Sequence, residues 1–138
     1  MFTRRTILGL AAAAGAAAIL PALAGLSPPV SAAGRVAFDR TAFETAVNAG
    51  KPVIIDISAS WCPTCQRQKQ ILADLTGKPE FAGVTIFEVD YDTQKDIMRS
   101  FGAQQRSTLI AFKNGNEVGR VVGDTRVPAI EALLAATV

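Results

Sequence analysis

The stretch Val53-Ile-Ile-Asp-Ile-Ser-Ala-Ser-Trp-Cys-Pro-Thr-Cys65 constrains this chain more than any other. Val53 to Ser58 is an apolar, β-branched run broken only by Asp56, which reads as a strand buried on both faces and central in a sheet. Small residues and Trp61 end the run, and the chain's two cysteines follow, separated by Pro63 and Thr64. The next segment, to Leu75, is compatible with a helix, so Cys62 stands at a helix start. Unpaired backbone N–H groups and the positive end of the helix dipole favour a thiolate there. Cys65 lies about one turn further on, within disulfide range of Cys62. Strand, thiol pair and helix together suit thiol–disulfide exchange.

Other uses of two cysteines fit less well. A structural disulfide would close a loop too short to constrain the unfolded chain. Zinc takes four ligands, and a chain with no histidine and no third cysteine cannot supply them. The lack of histidine also removes Ser-His and Cys-His catalysis, and Gln66 after Cys65 excludes a haem-attachment motif. No phosphate-binding glycine loop is present. Neither cofactor nor metal is expected.

The first 32 residues read as an export signal rather than part of the domain. Arg4 and Arg5 open it, no further charge appears before Arg35, and the Ala/Gly-rich middle ends in a Pro/Ser-containing tail at Ser31-Ala32-Ala33. A basic start, an apolar centre and small residues before the scissile bond imply cleavage after Ala32 or Ala33. The paired arginines resemble a twin-arginine signal, which implies a periplasmic protein. An uncleaved membrane anchor facing the periplasm is the alternative, since the apolar run is about 20 residues. Of the 14 basic residues two leave with the signal, so the remaining 12 balance the 12 acidic ones. A neutral domain offers no basic footprint for nucleic acid.

From residue 33 to 138 the pattern predicts β, α, β, α, β, α, β, β, α. Arg35–Phe38 is a short strand. Thr41-Ala-Phe-Glu44 matches a capping box, with Ala42, Phe43, Ala46 and Val47 on the inner face of a helix that Gly50 stops. A helix over Cys62–Leu75 has an exposed polar start through Gln70, and Ile71, Leu72 and Leu75 anchor its end. Val84–Val89 is the next strand, and a helix follows from Asp92 or Thr93 to Phe101. Thr108–Phe112 and Glu117–Val122 flank Asn114-Gly115, a strong hairpin signal. The last helix begins at Val127. This order gives an α/β domain, a mixed sheet with helices on both faces.

These residues carry a family likeness. Trp61-Cys62-Pro63-Thr64-Cys65, Asp56 six residues before Cys62, Glu88-Val-Asp-Tyr-Asp92, Thr108-Leu-Ile-Ala-Phe-Lys-Asn-Gly115 and Val122-Gly123 occur in the order seen in thioredoxins. The chain from about Val36 to Val138 resembles the thioredoxin family. One position departs. Thioredoxins have a cis-proline facing the dithiol, and Ser107, after Arg106, stands there instead. A cis bond before a non-proline costs about 3–4 kcal/mol, so a trans Arg106–Ser107 peptide and a reshaped loop are expected.

Cys62 is then the nucleophile and Cys65 the resolving thiol. A buried Asp56 has a raised pKa, and the resemblance implies that it accepts the Cys65 proton. Trp61, Arg106, Ser107 and Thr108 are the expected substrate contacts. Thr64 either donates to the Cys62 sulfur or faces solvent. Glu88, Asp90, Arg67 and Lys69 read as solvated charges. The expected activity is a monomeric reductase or isomerase of protein disulfides, recharged by a membrane-bound electron donor. The alternatives are a disulfide-installing oxidant, for whose usual inserted helical domain there is no room between Val89 and Thr108, and a non-catalytic binding module.

Overall fold

The computed structural model describes residues 34–138; the expected signal and its cleavage site lie outside them. Nine elements follow the expected order: β1 Arg35–Ala37, α1 Arg40–Asn48, β2 Val53–Ser58, α2 Pro63–Thr76, β3 Thr85–Asp90, α3 Lys95–Ser100, β4 Thr108–Lys113, β5 Asn116–Val122 and α4 Val127–Ala135. A short 3-10 turn, Pro79–Phe81, lies between α2 and β3. The sheet order is β1-β3-β2-β4-β5. β1, β3 and β2 run parallel, while β4 is antiparallel to both β2 and β5. All six residues of β2 are buried.

Side-chain alternation along the strands separates two cores. Ile54, Ile86, Leu109 and Ala111 point to one face, where α2 and α4 contribute Ile71, Leu72, Leu75, Ile130, Leu133 and Leu134. Val53, Ile55, Ile57, Phe87, Val89 and Ile110 point to the other, under α1 and α3. Asp56 and Ser58 share the parity of Ile54, so the only polar side chains of β2 point toward α2.

The helix starts differ from expectation. Asp39, not Thr41, caps α1: its Oδ1 accepts the Ala42 N–H at 2.8 Å. Asp is among the strongest N-caps, so the helix begins before the Thr41–Glu44 pattern is reached. This leaves Ala42 exposed, while Phe43 and Ala46 are buried. Gly50 does end the helix. With φ +73° it lets the Gly50 and Lys51 N–H groups bond back to the carbonyls of Val47 and Ala46. α3 starts at Lys95, later than expected, because Asp90 Oδ1 accepts the N–H groups of Asp92 and Thr93 and holds them in a turn. Asn114 and Gly115 close the β4–β5 hairpin at φ +50° and +80°, the two positive values that a type I′ turn requires.

Candidate active site

At the C-terminal end of β2 the chain turns through Ala59–Trp61 and enters α2. Cys62 is the N-cap residue, with extended backbone, and its own sulfur does the capping by accepting the Cys65 N–H at 3.2 Å. Pro63 fills the first helical turn, where its missing N–H costs nothing. Both cysteines are free thiols. Burial pushes the Cys62 thiol up, but hydrogen bonds from the Cys65 thiol, the Ser107 hydroxyl, the Cys65 amide and Arg106 outweigh it and bring it down to about 7. Burial, then the hydrogen bond with Cys62, push the Cys65 thiol the opposite way. The pair is therefore split into a sulfur that ionises readily and one that holds its proton. Cys62 is only 2% exposed, so a substrate must reach it along a narrow line.

The residue facing the pair is Ser107. Its backbone has φ +60°, a left-handed value closed to proline and costing a non-glycine residue on the order of 1–3 kcal/mol. Three hydrogen bonds hold it there. The Ser107 N–H donates to the Ile57 carbonyl at 2.8 Å, and the Ser107 carbonyl accepts from Gly123 N–H at 2.8 Å and from Gln68 Nε2 at 3.1 Å. The hydroxyl then lies 3.3 Å from Cys62 Sγ and 3.1 Å from Cys65 Sγ. With both main-chain groups used inside the fold, Ser107 has none left to bind a substrate strand. Thr108 is also withdrawn from the substrate surface. It is 1% exposed, its hydroxyl donates to the Gln105 carbonyl, and it opens a strand paired to Ile57.

Gln68 is a site residue hidden in the polar pattern of α2, and the exposed start expected for that helix is wrong at this position. It is fully buried, and its Nε2 also bonds the Asp124 carbonyl at 3.0 Å. The signal was its spacing: Cys65, Gln68, Leu72 and Leu75 fall on one helical stripe.

Asp56 is fully buried, and burial raises its pKa against the opposing pull of Arg35. Arg35 Nη1 donates to Asp56 Oδ2 at 2.5 Å and to Glu88 Oε2 at 3.1 Å; Lys69 Nζ and Ser58 Oγ both donate to Glu88 Oε1. Glu88 and Lys69 are thus members of a half-buried ion network, not solvated charges. Burial works against the Glu88 carboxylate, yet Lys69 and Arg35 lower its pKa on balance. Asp56 Oδ1 is buried without a partner, and no hydrogen bond joins either of its oxygens to a sulfur among the described residues.

Trp61 and Arg106 flank Cys62 at the surface. Trp61 is 55% exposed, donates from Nε1 to Asp92 Oδ2 at 2.8 Å, and lies edge-on to Tyr91. The Arg106 guanidinium sits 4.7 Å from its ring centroid. A cleft of about 290 Å³ opens beside them, lined by Thr64, Tyr91, Gln104, Gln105, Arg106, Ser107 and Gly123. Thr64 faces this cleft, and among the described residues it makes no side-chain hydrogen bond to Cys62. No cluster of three or more metal-ligating side chains, and no helix long and apolar enough to cross a membrane, occurs among the described residues.

The family model for thioredoxin matches residues 35–136, the whole sheet together with all four helices. This chain belongs to the thioredoxin family. It is 34% identical over 101 residues to thioredoxin Asp f 29 of Aspergillus fumigatus, covering 72% of this chain and 91% of that protein. It is 32% identical over 84 residues to thioredoxin H5 of Arabidopsis thaliana, covering 61% and 70%. Among solved structures, Trxlp from Edwardsiella tarda is 38% identical, covers 73% of this chain and 98% of that one, and superposes with a TM-score of 0.70. As a thioredoxin-family protein with its Cys-x-x-Cys pair in place, the chain is a thiol–disulfide oxidoreductase acting on protein disulfides.

Proposed function

We propose that this thioredoxin-family protein is an exported reductase or isomerase of protein disulfides, with Cys62 as attacking sulfur and Cys65 as resolving sulfur. The observation that carries the roles is the Cys65 N–H donated to Cys62 Sγ at 3.2 Å, which stabilises a thiolate on the outer sulfur while Cys65 keeps its proton. The Cys62 thiolate attacks a substrate disulfide, and Cys65 then displaces the substrate from the mixed disulfide. Trp61 and Arg106 border the approach to Cys62 and contact the incoming chain. Asp56, the expected proton acceptor, is buried on the same face with one unpartnered oxygen but makes no hydrogen bond to Cys65 among the described residues, and contributes to the field beneath the dithiol. The Arg4-Arg5 segment and the small-residue tail at Ala32-Ala33 support export to the periplasm. A membrane-bound donor of electrons follows from that location, because the compartment is kept oxidising. The protein works as a monomer.

An insulin-reduction assay paired with a redox titration tests this reading. A potential near about −270 mV with turnover abolished in Cys62→Ser is the expected result; a value near about −120 mV would make the protein an oxidant. Absence of turnover in the wild type would leave only a binding module.

A further inference from the structure

Resolution of a mixed disulfide needs two proton movements. Cys65 must lose a proton to become a nucleophile, and the substrate sulfur leaving Cys62 must gain one when it is a basic alkyl thiol. The Cys65 thiol holds its proton, so this step needs help. Asp56 is poorly placed to give it directly, with Oδ2 against Arg35 and no hydrogen bond from either oxygen to Cys65 among the described residues. Ser107 Oγ, in contrast, lies within hydrogen-bond reach of both sulfurs, and at each contact either atom can be the donor.

We propose that the Ser107 hydroxyl is a catalytic proton relay between Cys65 and the thiolate leaving Cys62, aimed by Gln68 as a positioning residue. The relay presupposes the exchange roles proposed for the two cysteines. As Cys65 Sγ attacks Cys62 Sγ, its proton passes to Ser107 Oγ. The Cys62–Cys65 bond forms while the bond from Cys62 to the substrate sulfur breaks, and the electron pair of that bond leaves on the substrate sulfur. The Ser107 Oγ–H proton then passes to it. Ser107 ends as a neutral hydroxyl, the dithiol has lost two electrons, and the substrate disulfide has gained them.

The backbone supports this assignment independently of the sulfurs. A serine at φ +60° is strained, and the bonds that hold it run to β2 through Ile57, to the turn after β5 through Gly123, and to α2 through Gln68. The Gln68 amide is itself fully buried, three residues from Cys65 on the same helix. Strand, turn and active-site helix therefore fix one hydroxyl against the dithiol. A proline ring at this position could neither take this φ nor offer a proton.

The test compares two leaving groups in rapid mixing. Reduced protein is mixed with 5,5′-dithiobis(2-nitrobenzoate), whose thiolate leaves without protonation, or with 2-hydroxyethyl disulfide, whose thiol is basic. Loss of the mixed disulfide is followed by thionitrobenzoate absorbance or Trp61 fluorescence. In Ser107→Gly, which keeps φ +60° accessible, resolution with the basic thiol slows about a hundredfold, at the low end of general acid–base catalysis, while the aromatic thiolate, which loses only the acceptor of the Cys65 proton, is slowed far less. Gln68→Leu shows the same split at smaller amplitude. Equal slowing of both leaving groups would make Ser107 merely structural and overturn the relay. A wild-type rate that falls steeply with leaving-thiol basicity would do the same without any variant. If no mixed disulfide formed on Cys62 at all, the exchange roles themselves would fail, and the relay with them.

Discussion

Five phenylalanines, Phe38, Phe43, Phe87, Phe101 and Phe112, pack on the side of the sheet covered by α1 and α3, edge to face except for the tilted pair Phe38–Phe43, with ring centroids 5.2 to 6.2 Å apart. The side under α2 and α4 is aliphatic apart from Phe81 and admits Asp56 and Gln68, both fully buried. Each of these two polar groups leaves one oxygen unpartnered. The aromatic side gains from burying apolar area and asks nothing else of its neighbours. The side below the dithiol tolerates desolvated polar atoms, which costs stability but places titratable and hydrogen-bonding groups against the active-site helix. The difference teaches where stability and chemistry are each kept in this fold.

The comparison breaks if changes on one side have the consequences assigned to the other. Phe43→Ala carries the largest expected effect on stability, a loss of about 3–5 kcal/mol in urea unfolding. Its Cys62 alkylation profile should match wild type; a displaced midpoint would show that the aromatic side tunes the thiol after all. Gln68→Leu leaves the Ser107 and Asp124 carbonyls without their amide partner and costs about 1–3 kcal/mol. Here the Cys62 pKa should rise as well, because the Ser107 hydroxyl loses its support.

Asp56→Asn sharpens the contrast through pH. Burial raises the Asp56 pKa above its unfolded value, so folding favours the protonated acid. The associated stability is present below the unfolded pKa and is lost as pH rises through the folded one. Wild type should therefore weaken relative to Asp56→Asn as pH increases from 4 toward neutrality, measured as the difference in urea midpoints. A gap moving the other way would mean that Arg35 outweighs burial. Arg106→Ala, on the exposed rim, removes the stacking on Trp61 and should cost about 0.5–1 kcal/mol or less; it also removes one of the hydrogen bonds that lower the Cys62 pKa, so the thiol should titrate somewhat higher.

Much of this was legible in the residues. The β2 run, the Asn114-Gly115 hairpin and Cys62 at a helix start are local signals, set by side-chain period, turn geometry and unpaired helix N–H groups, and each lies where local physics puts it. The Asp56–Arg35–Glu88–Lys69 network was not legible, because it depends on β1 and β3 being neighbours, with Arg35 opposite Ile86 and Asp56 opposite Glu88. Nothing near Arg35 in the sequence announces that pairing. Ser107 was visible only as a departure from a proline; the aim of its hydroxyl is set by three long-range hydrogen bonds. Thr108, adjacent in sequence to the cleft, faces inward because strand pairing begins there.

Alkylation of the reduced protein by iodoacetamide across pH, with the modified cysteine identified by mass, tests the central claim most directly. Reaction at Cys62 should rise to half its maximum near pH 7, with Cys65 unmodified throughout this range. A midpoint near the ordinary thiol value of 9.0, or preferential reaction at Cys65, would contradict it.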